Sequence, residues 1–215
     1  TVRDRLDPHN PARWEGLGDR IDGLRRSAEP VAGLISQHLV GGYMYLRALI
    51  GPEELLLKFY DDPDLIRACM SGWLALMDEG IRRTQESIEL DEIFLAEDIC
   101  YNHGLLISPD AMREFLFPAY AALIRNAQNR QQRPIRLKID TDGDCRPAIP
   151  VYGELGMSVM VPFEVASGCD VVAIGRQHPT LVMGGGIDKR VLAKGPAAID
   201  AHLQHILPAM VRRGG

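Results

Sequence analysis

The 215-residue sequence has no apolar run approaching the roughly 18 residues a membrane-spanning helix needs. Its first ten residues, TVRDRLDPHN, lack the apolar centre of a signal peptide. No membrane partner is expected. It also lacks a CxxC pair: Cys69, Cys100, Cys145 and Cys169 lie 31, 45 and 24 residues apart, which argues against a zinc ribbon or a secreted disulfide framework. Reduced thiols in a cytoplasmic setting are the expectation. There is no basic excess either. The net charge is −5, so a nucleic-acid partner is not expected. With 46% hydrophobic and 25% charged residues, the chain has the composition of a folded protein with a sizeable core, in one domain or a tight pair.

The elements alternate along the chain. Residues 1–30 mix acids and bases with no sustained apolar period and read as an irregular, partly helical entry segment. Val31 to His38 reads as a buried strand ending at Gly41-Gly42. Asp62-Pro63 supplies an N-cap and a first helical proline, after which Ile66, Met70, Trp73, Met77 and Ile81 recur at helical spacing, predicting a helix over 63–87. Glu92 to Ala96 is a strand, and Ser108-Pro109 opens another helix. Residues 134–139, 157–162 and 180–184 are further strands, with helices at about 145–155, 166–175 and 196–212. Thirteen acids against four bases between Glu53 and Asp98 suit a solvated helix face. Strand, loop, helix, strand is the pattern of parallel strands joined by crossovers, so the fold class is α/β. Short late spacings favour a (β/α)8 TIM barrel over an open sheet. Only about five strands are visible, and a barrel typically takes roughly 250 residues, so a partial barrel over 31–215 is expected.

In such folds the chemistry gathers at the C-terminal ends of strands. Those positions are polar here: Gln37 and His38, then Glu97 and Asp98, Asp140, Thr141 and Asp142, Glu164, and Asp188 with Lys189. Carboxylates collected on one rim raise one another's pKa unless a metal, a cationic substrate group or an N–H donor sits among them. His103 is a further candidate ligand, whereas His202 and His205 on the last helix read as a solvated face. On the strand 135–140, Lys138 and Asp140 alternate with Leu137 and Ile139 and would share the lumenal face. DTDGD at 140–144 has its glycine at the fourth position, against the sixth of an EF-hand loop. It lacks the threonine and the later acidic motif of haloacid-dehalogenase-like phosphatases. Gly184 to Gly186 read as a tight strand-to-helix turn.

Four stretches taken in order, EDICYNHGLLISPDAMREFLFPAY (97–120), KIDTDGD (138–144), IPVYGELGMSVMVPFEVASGCDV (149–171) and LVMGGGIDKRVLAKG (181–195), resemble the uroporphyrinogen decarboxylase superfamily. That superfamily includes haem-pathway decarboxylases and methyltransferases serving corrinoid proteins. The resemblance covers about residues 40–215. It implies a (β/α)8 barrel with a cleft at the strand C-termini, and a chain incomplete at both ends. Asp140 and Asp142 stand where corrinoid-linked members carry an H-x-C-G zinc pair, and GGIDK (185–189) replaces a GNxDP-like turn. The branch is divergent.

The resemblance implies an enzyme moving a methyl group from a small methylated donor to a corrinoid carried by a partner protein. The alternatives are a porphyrinogen decarboxylase, which needs no cofactor, and a barrel that binds a tetrapyrrole without turnover. The expected catalytic residues are Asp98, Asp140, Asp142 and Lys138. His38, Glu164 and Asp188 would contact substrate, and Glu97, Asp140 and Glu164 would hold a divalent metal such as zinc. Exposed sheet edges would favour a homo-oligomer.

Overall fold

The computed structural model describes residues 2–27 and 33–214. The chain divides into two compact units, residues 1–94 with 110–136, and residues 95–109 with 137–215.

In the first unit, α1 (Val2–Leu6), a 3-10 turn (Pro11–Trp14) and α2 (Leu17–Ser27) precede β1 (Ser36–Val40). There follow α3 (Gly42–Ile50), α4 (Pro52–Asp61), α5 (Pro63–Gln85), β2 (Glu92–Ala96), whose last two residues belong to the second unit, and α6 (Pro109–Ala111). A π-helical turn over Met112–Leu116 leads from α6 into α7 (Phe117–Asn129). Asp62 caps α5 as its sequence predicts, accepting from the Leu65 N–H at 3.2 Å. The apolar stripe of α5 is the core: Ile66, Met70, Trp73 and Ile81 are buried, and Trp73 Nε1 donates to the Val40 carbonyl at 2.8 Å. Each such side chain contributes roughly 1.5–3 kcal/mol through burial. At Gly42, where α3 meets α5, a Cβ would stand 2.6 Å from Met70 Cε, so the end of the Met70 side chain would have to move.

The second unit begins with a short antiparallel hairpin, β3 (Cys100–Tyr101) and β4 (Gly104–Leu105). It continues through β5 (Arg136–Asp140), whose first residue belongs to the first unit, α8 (Ala148–Gly153), β6 (Met157–Phe163), a 3-10 turn (Val165–Ser167) and α9 (Val171–Gln177). It ends with β7 (Val182–Gly185), α10 (Lys189–Leu192) and α11 (Pro196–Arg213). Strands β5 and β6 are parallel in the register Leu137↔Met157 to Asp140↔Val161, and β6 and β7 are parallel from Val159↔Val182 to Phe163↔Gly185. The strand order is β1-β2-β5-β6-β7.

The fold is therefore α/β with a mostly parallel sheet, and among the described residues that sheet does not close into a barrel. Several boundaries differ from expectation. Val31 and Ala32 lie outside the described residues, and the first strand starts only at Ser36, because Ile35 is engaged sideways: its N–H donates to Asp91 Oδ2 and its carbonyl accepts from the Asp91 N–H, both at 2.8 Å. Strand β5 starts after Pro134 and Ile135, since the proline has no N–H and the Ile135 N–H goes to Gln128 Oε1 at 2.9 Å. The helix expected from 166 starts at Val171, where Asp170 accepts from the N–H groups of Val172 and Ala173. Gly41-Gly42 opens a helix rather than a loop. Among the described residues no helix is long and apolar enough to cross a membrane.

Candidate functional site

The loops leaving β2, β5 and β6 lie in the second unit and are stitched together by backbone. The N–H groups of Glu97 and Asp98 both donate to the Asp140 carbonyl, at 2.9 and 3.1 Å. The Thr141 N–H donates to Val161 at 2.8 Å, and Thr141 Oγ1, fully buried, accepts from the Cys100 N–H at 2.9 Å. The Asp144 N–H donates to the Tyr101 carbonyl at 2.8 Å, which seats the β3–β4 hairpin on the DTDGD loop. Gly143 has φ +80° and lies so close to Tyr101 that a Cβ would meet its carbonyl carbon at 2.6 Å. Its N–H donates to Glu164 Oε2 at 2.9 Å, while Glu164 Oε1 sits 2.5 Å from Lys189 Nζ. The loop bearing Asp140 and Asp142 is thus held from two sides. Asp98 adopts φ +45°, unusual for a residue with a side chain.

The electrostatics follow from that gathering. Asp140 is half-buried, and its pKa is raised by desolvation, then by the charges of Asp142 and Asp98, against a lowering by Lys138. Asp142 is raised by desolvation, then by Glu164 and Asp98, against Lys189. Glu164 is lowered by its bond to Lys189 and by the Gly143 N–H. Asp98, Asp140 and Asp142 therefore form a group of carboxylates in one another's field, flanked by two lysines.

The remaining expected site residues have the following surroundings. His38 lies in the first unit, exposed, with its ring centroid 4.4 Å from that of Phe94. Glu97 is fully buried. Asp188 caps α10, accepting from the Arg190 N–H at 2.9 Å and pairing with the Arg190 guanidinium, which lowers its pKa to about 2. His103 is exposed beside Tyr101 and favours the ionised form of Asp144. Lys138 shares the face of Asp140 on β5, as the strand alternation implies.

Among the described residues, no group of three or more His, Cys, Asp and Glu could hold a metal ion. The expected set of Glu97, Asp140 and Glu164 is not gathered into such a group: Glu97 is fully buried, and Glu164 is engaged by Lys189 and the Gly143 N–H.

Three features had no clear sequence signal. Asp144 is buried and holds Arg146 through both carboxylate oxygens. His202 Nε2 accepts the Asp188 N–H at 3.0 Å, so this histidine anchors α11 to the β7–α10 turn instead of facing solvent idly. Cys145 and Cys169 face each other at 3.7 Å.

No protein-family model matches the sequence, and no curated protein matches it. Among solved structures the chain is similar to a methyltransferase from Methanosarcina mazei, with a TM-score of 0.54 at 14% identity, over 86% of this chain and 62% of that one. The likeness is one of fold. This chain spans less than two thirds of the length of that methyltransferase.

Proposed function

We propose that the chain is part of a (β/α)8-barrel enzyme of the uroporphyrinogen decarboxylase type that moves a methyl group from a small donor with a positively charged heteroatom to a corrinoid carried by a partner protein. The observation that carries this reading is the meeting of Asp98, Asp140 and Asp142 at neighbouring strand ends, where Lys138 and Lys189 offset only part of the charge. The fold shared with a methyltransferase supports it. A cationic donor would relieve the repulsion that raises Asp140 and Asp142.

The acceptor supplies the nucleophile when the carrier is docked. The electron pair of the acceptor forms the new bond to the methyl carbon, while the pair of the broken carbon–heteroatom bond stays on the heteroatom and cancels its charge. The donor's charge disperses as the bond breaks, so the carboxylates act by binding and orienting the donor for in-line attack. Gly143 and Glu164 hold the loop that presents them, and Lys189 is the resident cation the donor competes with. No step is routed through a metal.

A porphyrinogen decarboxylase would use a carboxylate to accept pyrrole N–H groups, but an acidic rim repels a polycarboxylate substrate, and this charge favours methyl transfer. The test supplies tetramethylammonium and cob(I)alamin. Methylcobalamin and trimethylamine should form with the wild-type chain and fall at least tenfold with D140N/D142N. Formation no faster than without protein, together with carbon dioxide release from a uroporphyrinogen, would overturn the reading.

A further inference from the structure

We infer that Cys145 and Cys169 are a reversible disulfide site, oxidised by a peroxide, that joins the loop after β5 to the loop after β6. The inference goes beyond the methyl-transfer reading and does not depend on it. The two sulfurs are 3.7 Å apart, and both residues are fully buried. A bond of about 2.05 Å requires them to close by less than 2 Å. Neither residue sits inside a helix or strand. Cys145 lies in the turn before α8, and Cys169 lies between the 3-10 turn at Val165–Ser167 and the Asp170 cap of α9, so the closure falls on loop backbone.

The sulfurs form a directed chain. Cys169 donates to the Gly143 carbonyl at 3.6 Å, which leaves its lone pairs to accept from Cys145. The contact from Cys145 lowers the Cys169 thiol, while the same contact, with burial, pushes Cys145 up. Cys169, placed to accept from the Cys145 thiol, is the sulfur that reacts first as a thiolate. Cys169 is flanked in sequence by two exposed residues, Gly168 and Asp170. Cys100, also buried, is raised to about 11 by desolvation and is the poorer nucleophile. Cys69 belongs to the first unit.

The chemistry balances with hydrogen peroxide alone. The Cys169 thiolate attacks one peroxide oxygen, the O–O bond breaks, and the departing hydroxide takes up a proton as water, leaving a sulfenic acid. The Cys145 sulfur then attacks the sulfenic sulfur. The S–S bond forms, the S–O bond breaks, and the second water leaves with the Cys145 proton. Two electrons pass from the sulfurs to the peroxide, and a dithiol reductant reverses the change.

Oxidation acts on the carboxylate loop through Gly143. The disulfide has no S–H, so the Gly143 carbonyl loses its donor while the Gly143 N–H remains on Glu164. The turn between Asp142 and Asp144 then loses one of its hydrogen bonds and keeps those to Glu164 and Tyr101.

The test treats the folded full chain with equimolar hydrogen peroxide, blocks remaining thiols with iodoacetamide and maps peptides by mass spectrometry, with amide hydrogen exchange on the same samples. A Cys145–Cys169 cross-linked peptide lacking two hydrogens should form, revert with dithiothreitol, persist in C69S and vanish in C145S and C169S. Exchange over residues 141–145 should rise several-fold on oxidation in the wild type and not in C145S. A cross-link between any other pair, sulfinic acid at Cys169 with Cys145 still alkylatable, or oxidation confined to Cys69 would overturn the disulfide. Unchanged exchange in the cross-linked protein would overturn its action on the loop. The wild-type cross-link decides the matter even if a serine variant fails to fold.

Discussion

Asp144 grips Arg146, two residues further on, with both oxygens, at 2.7 Å from Nε and 2.8 Å from Nη2. Asp144 is buried while Arg146 is half exposed, so the pair is partly screened. The carboxyl is held below its ordinary range, first by the Arg146 side chain. A lowered folded-state pKa means the stabilisation is present above the unfolded value of about 3.9 and is lost as pH falls through the folded one. D144N should therefore lose about 1–3 kcal/mol at pH 7, because the pair and its buried acceptor go together. The deficit should shrink below about pH 4. Urea melts at both pH values check this, and an unchanged neutral midpoint would show the pair to be inert.

For Asp140 and Asp142 the sign is opposite. Both are raised, by desolvation and by neighbouring carboxylates, so their contribution is favourable in acid and is lost as pH rises through the folded-state values. D140N/D142N should consequently match or exceed the wild type in stability at pH 7 and lose that advantage near pH 3. The same variant should bind tetramethylammonium much more weakly. Equal affinity measured by calorimetry would remove both residues from the site.

Donor binding should itself release protons. A cation placed beside Asp140 and Asp142 lowers the pKa values that desolvation and the neighbouring carboxylates raise. Calorimetric titration of tetramethylammonium near pH 5, in buffers of different ionisation enthalpy, should show net proton release. A buffer-independent heat would mean these groups do not sense the ligand.

Lys189 is exposed and bonded to Glu164, whose carboxyl it lowers, and its charge also lowers Asp142. K189M should raise both carboxyls and, by removing the competing resident cation, tighten tetramethylammonium binding several-fold without moving the melting temperature by more than a degree or two, since an exposed pair contributes little to folding. Weaker binding would assign Lys189 to donor contact instead.

G143A should be costly in a way few loop alanines are. The position has φ +80°, and the added Cβ would strike the Tyr101 carbonyl carbon at 2.6 Å. A loss of about 1–3 kcal/mol is expected from overpacking, with added backbone strain. A melt within a few tenths of a kcal/mol of wild type would show that the hairpin and the DTDGD loop move apart freely.

Local chemistry made much of the fold legible. Asp62-Pro63 with apolar residues at helical spacing determined α5, Glu92 to Ala96 determined β2, and the alternation of strand and helix determined a largely parallel sheet, because these signals act between residues near in sequence. The carboxylates at strand ends were visible for the same reason. Tertiary structure decided which of them belong together. Only the folded chain turns Glu97 inward, spends Asp188 on capping α10 and Arg190, and commits Glu164 to Lys189 and Gly143, leaving Asp98, Asp140 and Asp142 to share one field. Likewise it set Cys145 against Cys169, 24 residues away, and placed His38 in the other unit. Burial and charge pairing are properties of neighbours in space, and the order of residues along a chain does not state those neighbours until backbone hydrogen bonding and core packing have brought them together.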